Sequence, residues 1–144
     1  MEVSEPTYFL DSTTLIHAVD KRAEYHKECL NVINKAAKGE INTVTNLETL
    51  EEALFILSKL TSTLTALRVI NDYLKMTKIK KYEMKLAILE HAIEVMEMTP
   101  IKRPKDAINV ATMLEYHVSK IVSEDKEYDK ISLIQRVHPK DLPS

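Results

Sequence analysis

The feature that most limits what this chain can fold into is its alternation of short apolar or β-branched runs with longer stretches whose apolar residues recur at helical spacing. Tyr8, Phe9 and Leu10 form the first run, bounded by Pro6 upstream and Asp11 downstream, as a buried strand would be. Ser12, Thr13 and Thr14 follow as caps for a helix carrying Leu15, Ile16 and Val19. Over residues 22–38, Tyr25, Cys29, Val32, Ile33 and Ala36 share one helical face, and Gly39 closes the helix. Residues 41–44 read as a second strand, and Thr45 with Asn46 caps a helix over 47–60.

Three further helices are expected over 62–76, 85–98 and 104–117. In the first, Leu64, Leu67, Val69, Ile70, Tyr73 and Leu74 supply the inward stripe; in the second, Leu86, Leu89, Ala92, Ile93 and Met96 do so. The third has Pro104 in its first turn, a position where a missing N–H costs nothing. Residues 78–82 read as an edge strand blunted by lysines, Ile121 and Val122 as another strand, 126–131 as a turn or short helix, and 133–137 as a last strand. Such alternation implies an α/β fold with a mainly parallel central sheet of about four to five strands, covered by helices on both faces. With 144 residues, 44% apolar and 29% charged, one domain spanning 1–144 is expected.

Composition excludes several functions. A formal charge of −2 is incompatible with holding nucleic acid by a general basic surface, so any such contact has to be local. One glycine, Gly39, rules out glycine-rich phosphate loops, which need several residues free to approach a phosphate. One cysteine, Cys29, permits no intrachain disulfide and no paired-cysteine zinc motif. The start, Met-Glu-Val-Ser-Glu-Pro, lacks the basic and apolar segments of a signal peptide, and no apolar stretch is long enough to span a bilayer. A cytoplasmic protein without membrane association is expected.

Four carboxylates have positions that suit a shared site. In open parallel sheets, ligands sit beyond the carboxyl ends of strands. Asp11 ends the first strand, and Asp125 follows the strand containing Ile121 and Val122. Asp106 falls in the first turn of its helix, where the positive end of the macrodipole favours it, and Glu52 lies one or two turns into its own. Gathered carboxylates repel one another, so such a cluster implies a cation. Oxygen-only ligands select hard ions, Mg²⁺ or Mn²⁺.

The flanking residues carry further information. Phe-Leu-Asp-Ser-Thr-Thr-Leu-Ile, Thr-Asn-Leu-Glu-Thr-Leu-Glu-Glu-Ala-Leu-Phe-Ile-Leu, Lys-Asp-Ala-Ile-Asn-Val-Ala-Thr-Met and Ile-Val-Ser-Glu-Asp-Lys-Glu-Tyr-Asp-Lys-Ile occur in that order. Together they resemble the PIN-domain family, in particular the VapC-like toxin ribonucleases. The family's strand-ending aspartate with small hydroxyl residues corresponds to Asp11, Ser12 and Thr13. Its helical glutamate before an apolar or aromatic run corresponds best to Glu52, with Glu48 and Glu51 as near competitors. Its Asp-Ala helix opening matches Asp106 and Ala107, and its Ser-x-Asp-x-x-aromatic motif matches Ser123, Asp125 and Tyr128.

The resemblance implies a three-layer α/β/α PIN-like domain that hydrolyses RNA phosphodiester bonds with one or two metal ions. Asp11 and Asp106 are then direct metal ligands, and Glu52 and Asp125 complete the site directly or through water. Thr13 is expected to fix a carboxylate rotamer. Asn109, one turn from Asp106, faces the same pocket, Glu127 is an extra ligand, and Lys102, Arg103 and Lys105 contact RNA. The resemblance also implies a type II toxin with a small antitoxin covering the acidic groove. It further implies a homodimer formed through the helical region holding Leu54, Phe55, Leu57, Ile70 and Tyr73.

Plainer readings stand beside these. Asp11 and Asp106 suit ordinary helix caps, Glu52 a solvated helix face and Asp125 a turn. His17, His26, His91, His117 and His138 have no ligand-like spacing and are read as structural. The alternative functions are a PIN nuclease of RNA maturation or decay, and a catalytically inactive PIN-like scaffold that binds RNA or protein. A receiver-type signalling domain would need paired acids after its first strand, where Ser12, Thr13 and Thr14 stand instead.

Overall fold

The computed structural model of the protein describes residues 5–142. The expected domain ends and the leader-free start fall partly on residues 1–4 and 143–144, outside the described residues. In chain order the elements are β1 (Thr7–Leu10), α1 (Ser12–His17), α2 (His26–Lys38), β2 (Asn42–Asn46), α3 (Leu47–Leu60), α4 (Thr63–Lys75), β3 (Ile79–Tyr82), α5 (Leu86–Met98), α6 (Pro104–Glu115), β4 (Lys120–Val122) and β5 (Gln135–Val137). Two short 3-10 helices, Lys126–Lys130 and Pro139–Asp141, precede and follow β5.

The strands form one sheet in the order β3-β2-β1-β4-β5, every pairing parallel. Phe9 lies level with Val44 on one side and Ile121 on the other, and these three pack with α5 and α6. The alternate residues of β1, Tyr8 and Leu10, face the opposite core with α1 to α4. Burying both faces explains why β1 reads as a continuous apolar run, and the result is the expected three-layer α/β/α sandwich. Each fully buried side chain, such as Phe9 or Ile121, contributes roughly 1.5–3 kcal/mol.

Several boundaries and faces differ from expectation. The second helix begins at His26 rather than residue 22 because Asp20 accepts from the Arg22 backbone N–H (3.1 Å) and holds the intervening chain in turns. The sixth helix stops at Glu115 rather than residue 117. His117 takes φ 57, a left-handed stop, and the Val118 N–H returns to the Met113 carbonyl (2.8 Å). On α4 the buried residues are Ala66, Ile70 and Tyr73, whereas Leu64, Leu67 and Leu74 are exposed. On α5 the inward face is Ile88, Ala92 and Val95, leaving Leu89 and Ile93 outside. Both helices are apolar on more than one side, so periodicity alone does not choose the buried face.

The sheet order fixes where a ligand can sit. From β1 the chain proceeds to β2 and β3 on one side, while β4 and β5 lie on the other, so the strand order reverses at β1/β4. The carboxyl ends of β1 and β4 therefore flank a crevice, and Asp11, Ser123 and Asp125 emerge there.

Candidate active site

Asp11 follows the last residue of β1 and caps α1, accepting from the backbone N–H of Thr14 (3.0 Å) and from its hydroxyl (2.9 Å) through Oδ1. Its other oxygen accepts from the Ser123 hydroxyl, beyond β4. The plain capping role is thus real, yet it leaves a carboxylate only 3% exposed at the mouth of the crevice. Burial pushes its carboxyl from 3.8 up to about 6 against the opposing pull of the Ser123 and Thr14 hydrogen bonds, and the nearby Asp125 charge adds to the rise.

Asp106, in the first turn of α6, is held from two directions. The Arg103 guanidinium donates to its Oδ2 (2.8 Å), and the buried Tyr128 hydroxyl donates to Oδ1 (3.2 Å). Burial raises the Asp106 carboxyl, with the Arg103 charge opposing. Asn109 lines the same pocket and connects to Asp106 only through Tyr128. Its Nδ2 donates to the Tyr128 oxygen (3.1 Å), while its Oδ1 accepts from Asn46 Nδ2 (3.0 Å) and the Thr49 hydroxyl (3.3 Å). Since Asn46 also caps α3 through the Thr49 N–H (2.8 Å), one buried network ties the starts of α3 and α6 to the 3-10 helix after β4.

Asp11, Glu52, Asp106 and Asp125 line one polar pocket, together with Ser12, Thr13, Asn109 and Tyr128. Of the three competing glutamates, Glu52 is the one that lines it, held by the Ser12 hydroxyl and by Lys105 (3.5 Å). Asp125 accepts from Arg103 and caps the following 3-10 helix through the Glu127 N–H (3.0 Å). Thr13 lines the pocket, but the hydroxyls that hold carboxylates are its neighbours Ser12 and Thr14, with Ser123. Glu127 lies in an adjoining hollow with Lys102 and pairs with Lys130 (3.0 Å). Arg103 pairs with Asp106 and Asp125, and Lys105 with Glu52, so two of the cations expected at RNA stand against the carboxylates of the pocket.

Among the described residues, no three of the four carboxylates bring oxygens within 4.8 Å of one another. The quartet is an open rim. Four acids against Arg103 and Lys105 leave an excess of two formal negative charges, and every anionic donor is a carboxylate oxygen. That set fits a hard divalent cation, and Asp11, whose charge burial disfavours, gains most from one.

Ser123 and Tyr128 stand in the sequence only as members of a motif, and their contacts with Asp11, Asp106 and Asn109 appear only in the fold. A hydroxyl's partner depends on rotamer and on strand adjacency, which a local pattern does not carry.

The sequence profile of the PIN domain matches residues 8–133. The chain belongs to the PIN-domain family. Among solved structures, this PIN domain resembles VapC20 of Mycobacterium tuberculosis, described as a sarcin-ricin loop cleaving toxin. The TM-score is 0.73 at 14% identity, over 85% of this chain and 92% of that one. It also resembles DNA-bound VapBC of Salmonella typhimurium (TM-score 0.68, 15% identity, 94% and 99% covered) and a toxin-antitoxin complex of Klebsiella pneumoniae (0.66, 14%, 94% and 99%). At such identities the likeness is one of fold: a VapC-like PIN domain. Among curated proteins, none matches. No helix of the described residues is long and apolar enough to cross a membrane.

Proposed function

We propose that this PIN domain is a single-domain, Mg²⁺- or Mn²⁺-dependent endoribonuclease, the toxin of a type II toxin–antitoxin pair. The observation that carries this reading is the deeply buried Asp11 carboxylate facing Glu52, Asp106 and Asp125 in one under-compensated pocket at the reversal point of a parallel sheet.

Asp11 and Asp106 would hold the cation, with Glu52 and Asp125 completing the set. When bound, the ion supplies a water nucleophile at neutral pH and charge stabilisation for the leaving oxygen. The chain supplies the rest. Ser123 and Thr14 fix Asp11, Tyr128 and Asn109 fix Asp106, and Ser12 fixes Glu52. Lys102, Arg103 and Lys105 are the cations at the rim for RNA phosphates, which suits local contact in a chain of net charge −2. A small antitoxin segment fits over this pocket, where a further hollow runs from Glu52 and Lys105 to Leu54 and Phe55. The active form is a cytoplasmic homodimer. Of the residues first considered for pairing, Leu57, Ile70 and Tyr73 are core, so pairing falls to Phe55 with the exposed Leu64, Leu67 and Leu74.

The test is cleavage of labelled structured RNA by the purified protein with Mg²⁺ or Mn²⁺ and then with EDTA, beside Asp106→Asn. Cutting that needs the metal and falls at least about a hundredfold in the variant is expected. No cutting across a broad RNA panel would overturn the enzyme reading in favour of a binding scaffold. Growth arrest on expression without a partner separates a toxin from a nuclease of RNA maturation.

A further inference from the structure

Outside the acidic pocket, three side chains that the proposed cleavage does not use converge from distant parts of the chain. His17 is the last residue of α1, Cys29 lies in the first turn of α2, and Glu124 sits in the loop directly after β4. Their Nδ1, Sγ and Oε2 atoms lie within 4.8 Å of one another, the one trio of His, Cys, Asp or Glu that does so among the described residues.

Both neighbours face the same carboxylate oxygen, His17 Nδ1 at 2.5 Å and Cys29 Sγ at 3.8 Å from Glu124 Oε2. A carboxylate only accepts, so the ring N–H and the thiol S–H both donate to it. Packing alone does not call for this arrangement: a buried cysteine behaves as a small apolar residue and is better served by an apolar neighbour than by a carboxylate. Cys29 itself is fully buried, while the His17 and Glu124 side chains keep 28% and 19% of their surface exposed, which gives an ion a way in. The trio is also anchored, since His26 Nδ1 donates to the His17 carbonyl (2.8 Å) and joins the end of α1 to the start of α2.

We propose that His17, Cys29 and Glu124 form a second metal site, separate from the acidic rim, that takes Zn²⁺ through one nitrogen, one sulfur and one oxygen, with water in the fourth position. The donor set decides the ion: thiolate and imidazole select zinc, whereas the all-carboxylate rim selects hard cations. Zinc bonds of about 2.0–2.3 Å put tetrahedral ligands roughly 3.3–3.8 Å apart, so the present spacing needs side-chain adjustments of about an ångström. On binding, the Cys29 proton leaves to solvent as the S–Zn bond forms, and the proton that His17 Nδ1 donates to Glu124 leaves that nitrogen as the N–Zn bond forms, so that the neutral ring carries its one proton on Nε2. The ion would tie α1, α2 and the loop after β4 together. Asp11 caps that first helix, and Ser123 and Asp125 flank Glu124, so occupancy also stiffens the backbone that carries the acidic rim.

Co²⁺ titration of the purified chain tests this, because thiolate-bound cobalt gives intense near-ultraviolet charge-transfer absorption and an oxygen-only site gives none. The expected result is that band at one equivalent in wild type and in Asp106→Asn, its loss in Cys29→Ser, and Co²⁺ binding weakened at least tenfold in His17→Ala, with Zn²⁺ displacing the cobalt in wild type. No band in wild type at saturating Co²⁺, a band surviving in Cys29→Ser, or unchanged affinity in His17→Ala would overturn the proposal. The wild-type and Asp106→Asn spectra are read with the trio intact, so a poorly folded variant does not decide the outcome.

Discussion

Asp11 shows how a single residue can carry the cost of a site. A carboxyl whose folded value, about 6, exceeds its ordinary 3.8 stabilises the fold while protonated. That stability is fully present below the lower value and is lost as pH rises through the higher one. Without divalent metal, the wild type should therefore lose up to about 3 kcal/mol between pH 4 and 8 from this group. Asp11→Asn keeps the capping acceptor but no charge, so urea unfolding in EDTA should show a flatter pH profile and a more stable protein at pH 8. Matching profiles would mean that Asp11 is not held against its own ionisation. A second residue-scale test concerns Tyr128. Tyr128→Phe removes the donor to Asp106 and strands the Asn109 amide in the core, so urea unfolding should show a loss of about 1–3 kcal/mol, and an unchanged midpoint would contradict the network. Glu52, in the second turn of α3, was singled out only by the resemblance of its flanking run, whereas Asp11, Asp106 and Asp125 were legible because strand ends and helix starts have local signatures. The hydroxyls were not, and neither was the His17, Cys29 and Glu124 trio, whose members meet only once the fold is made.

At the scale of elements, helix stops separate what sequence specifies from what tertiary structure imposes. Gly39 ends α2 with φ 74, and the Glu40 N–H returns to the Lys35 carbonyl (2.9 Å), so a glycine at that point was readable as a terminator. His117 makes the corresponding stop after α6 without a glycine, and periodicity accordingly ran two residues too far. Gly39→Ala places an L side chain in the left-handed region, with its Cβ 2.8 Å from the Lys78 side chain. Lys78 is flexible and can yield, so the backbone dominates, and a loss of about 1–2 kcal/mol in urea unfolding is expected. A neutral or stabilising result would show that α2 does not depend on this turn. The same distinction covers the strands. Buried β1 announced itself by unbroken apolar character, whereas β5 proved to be only Gln135–Val137, because residues 133–134 precede the pairing with β4.

For the whole molecule, the faces that periodicity misassigned become the most informative ones. Phe55 is 61% exposed, and Leu64, Leu67 and Leu74 on α4 are each at least half exposed, an apolar surface on one side of the sandwich. Leu89 and Ile93 on α5 leave a second on the other side. A chain that keeps such residues in water is poised for association, and the α3–α4 surface is the one assigned here to a second copy. Leu67→Glu places a charge in that surface without touching the core beneath it, where Ala66 and Ile70 do the packing. Sedimentation equilibrium should find a wild-type dimer and a variant whose dissociation constant is raised at least tenfold, since a buried unpaired charge costs more than about 1.4 kcal/mol. Thermal stability of the dilute chain should stay nearly unchanged, because the substituted residue already faces solvent. A Leu67→Glu protein that still dimerises, beside an Ile93→Glu protein that does not, would move the contact between copies to α5 and leave the α3–α4 surface, which adjoins Glu52 and Lys105, to the antitoxin.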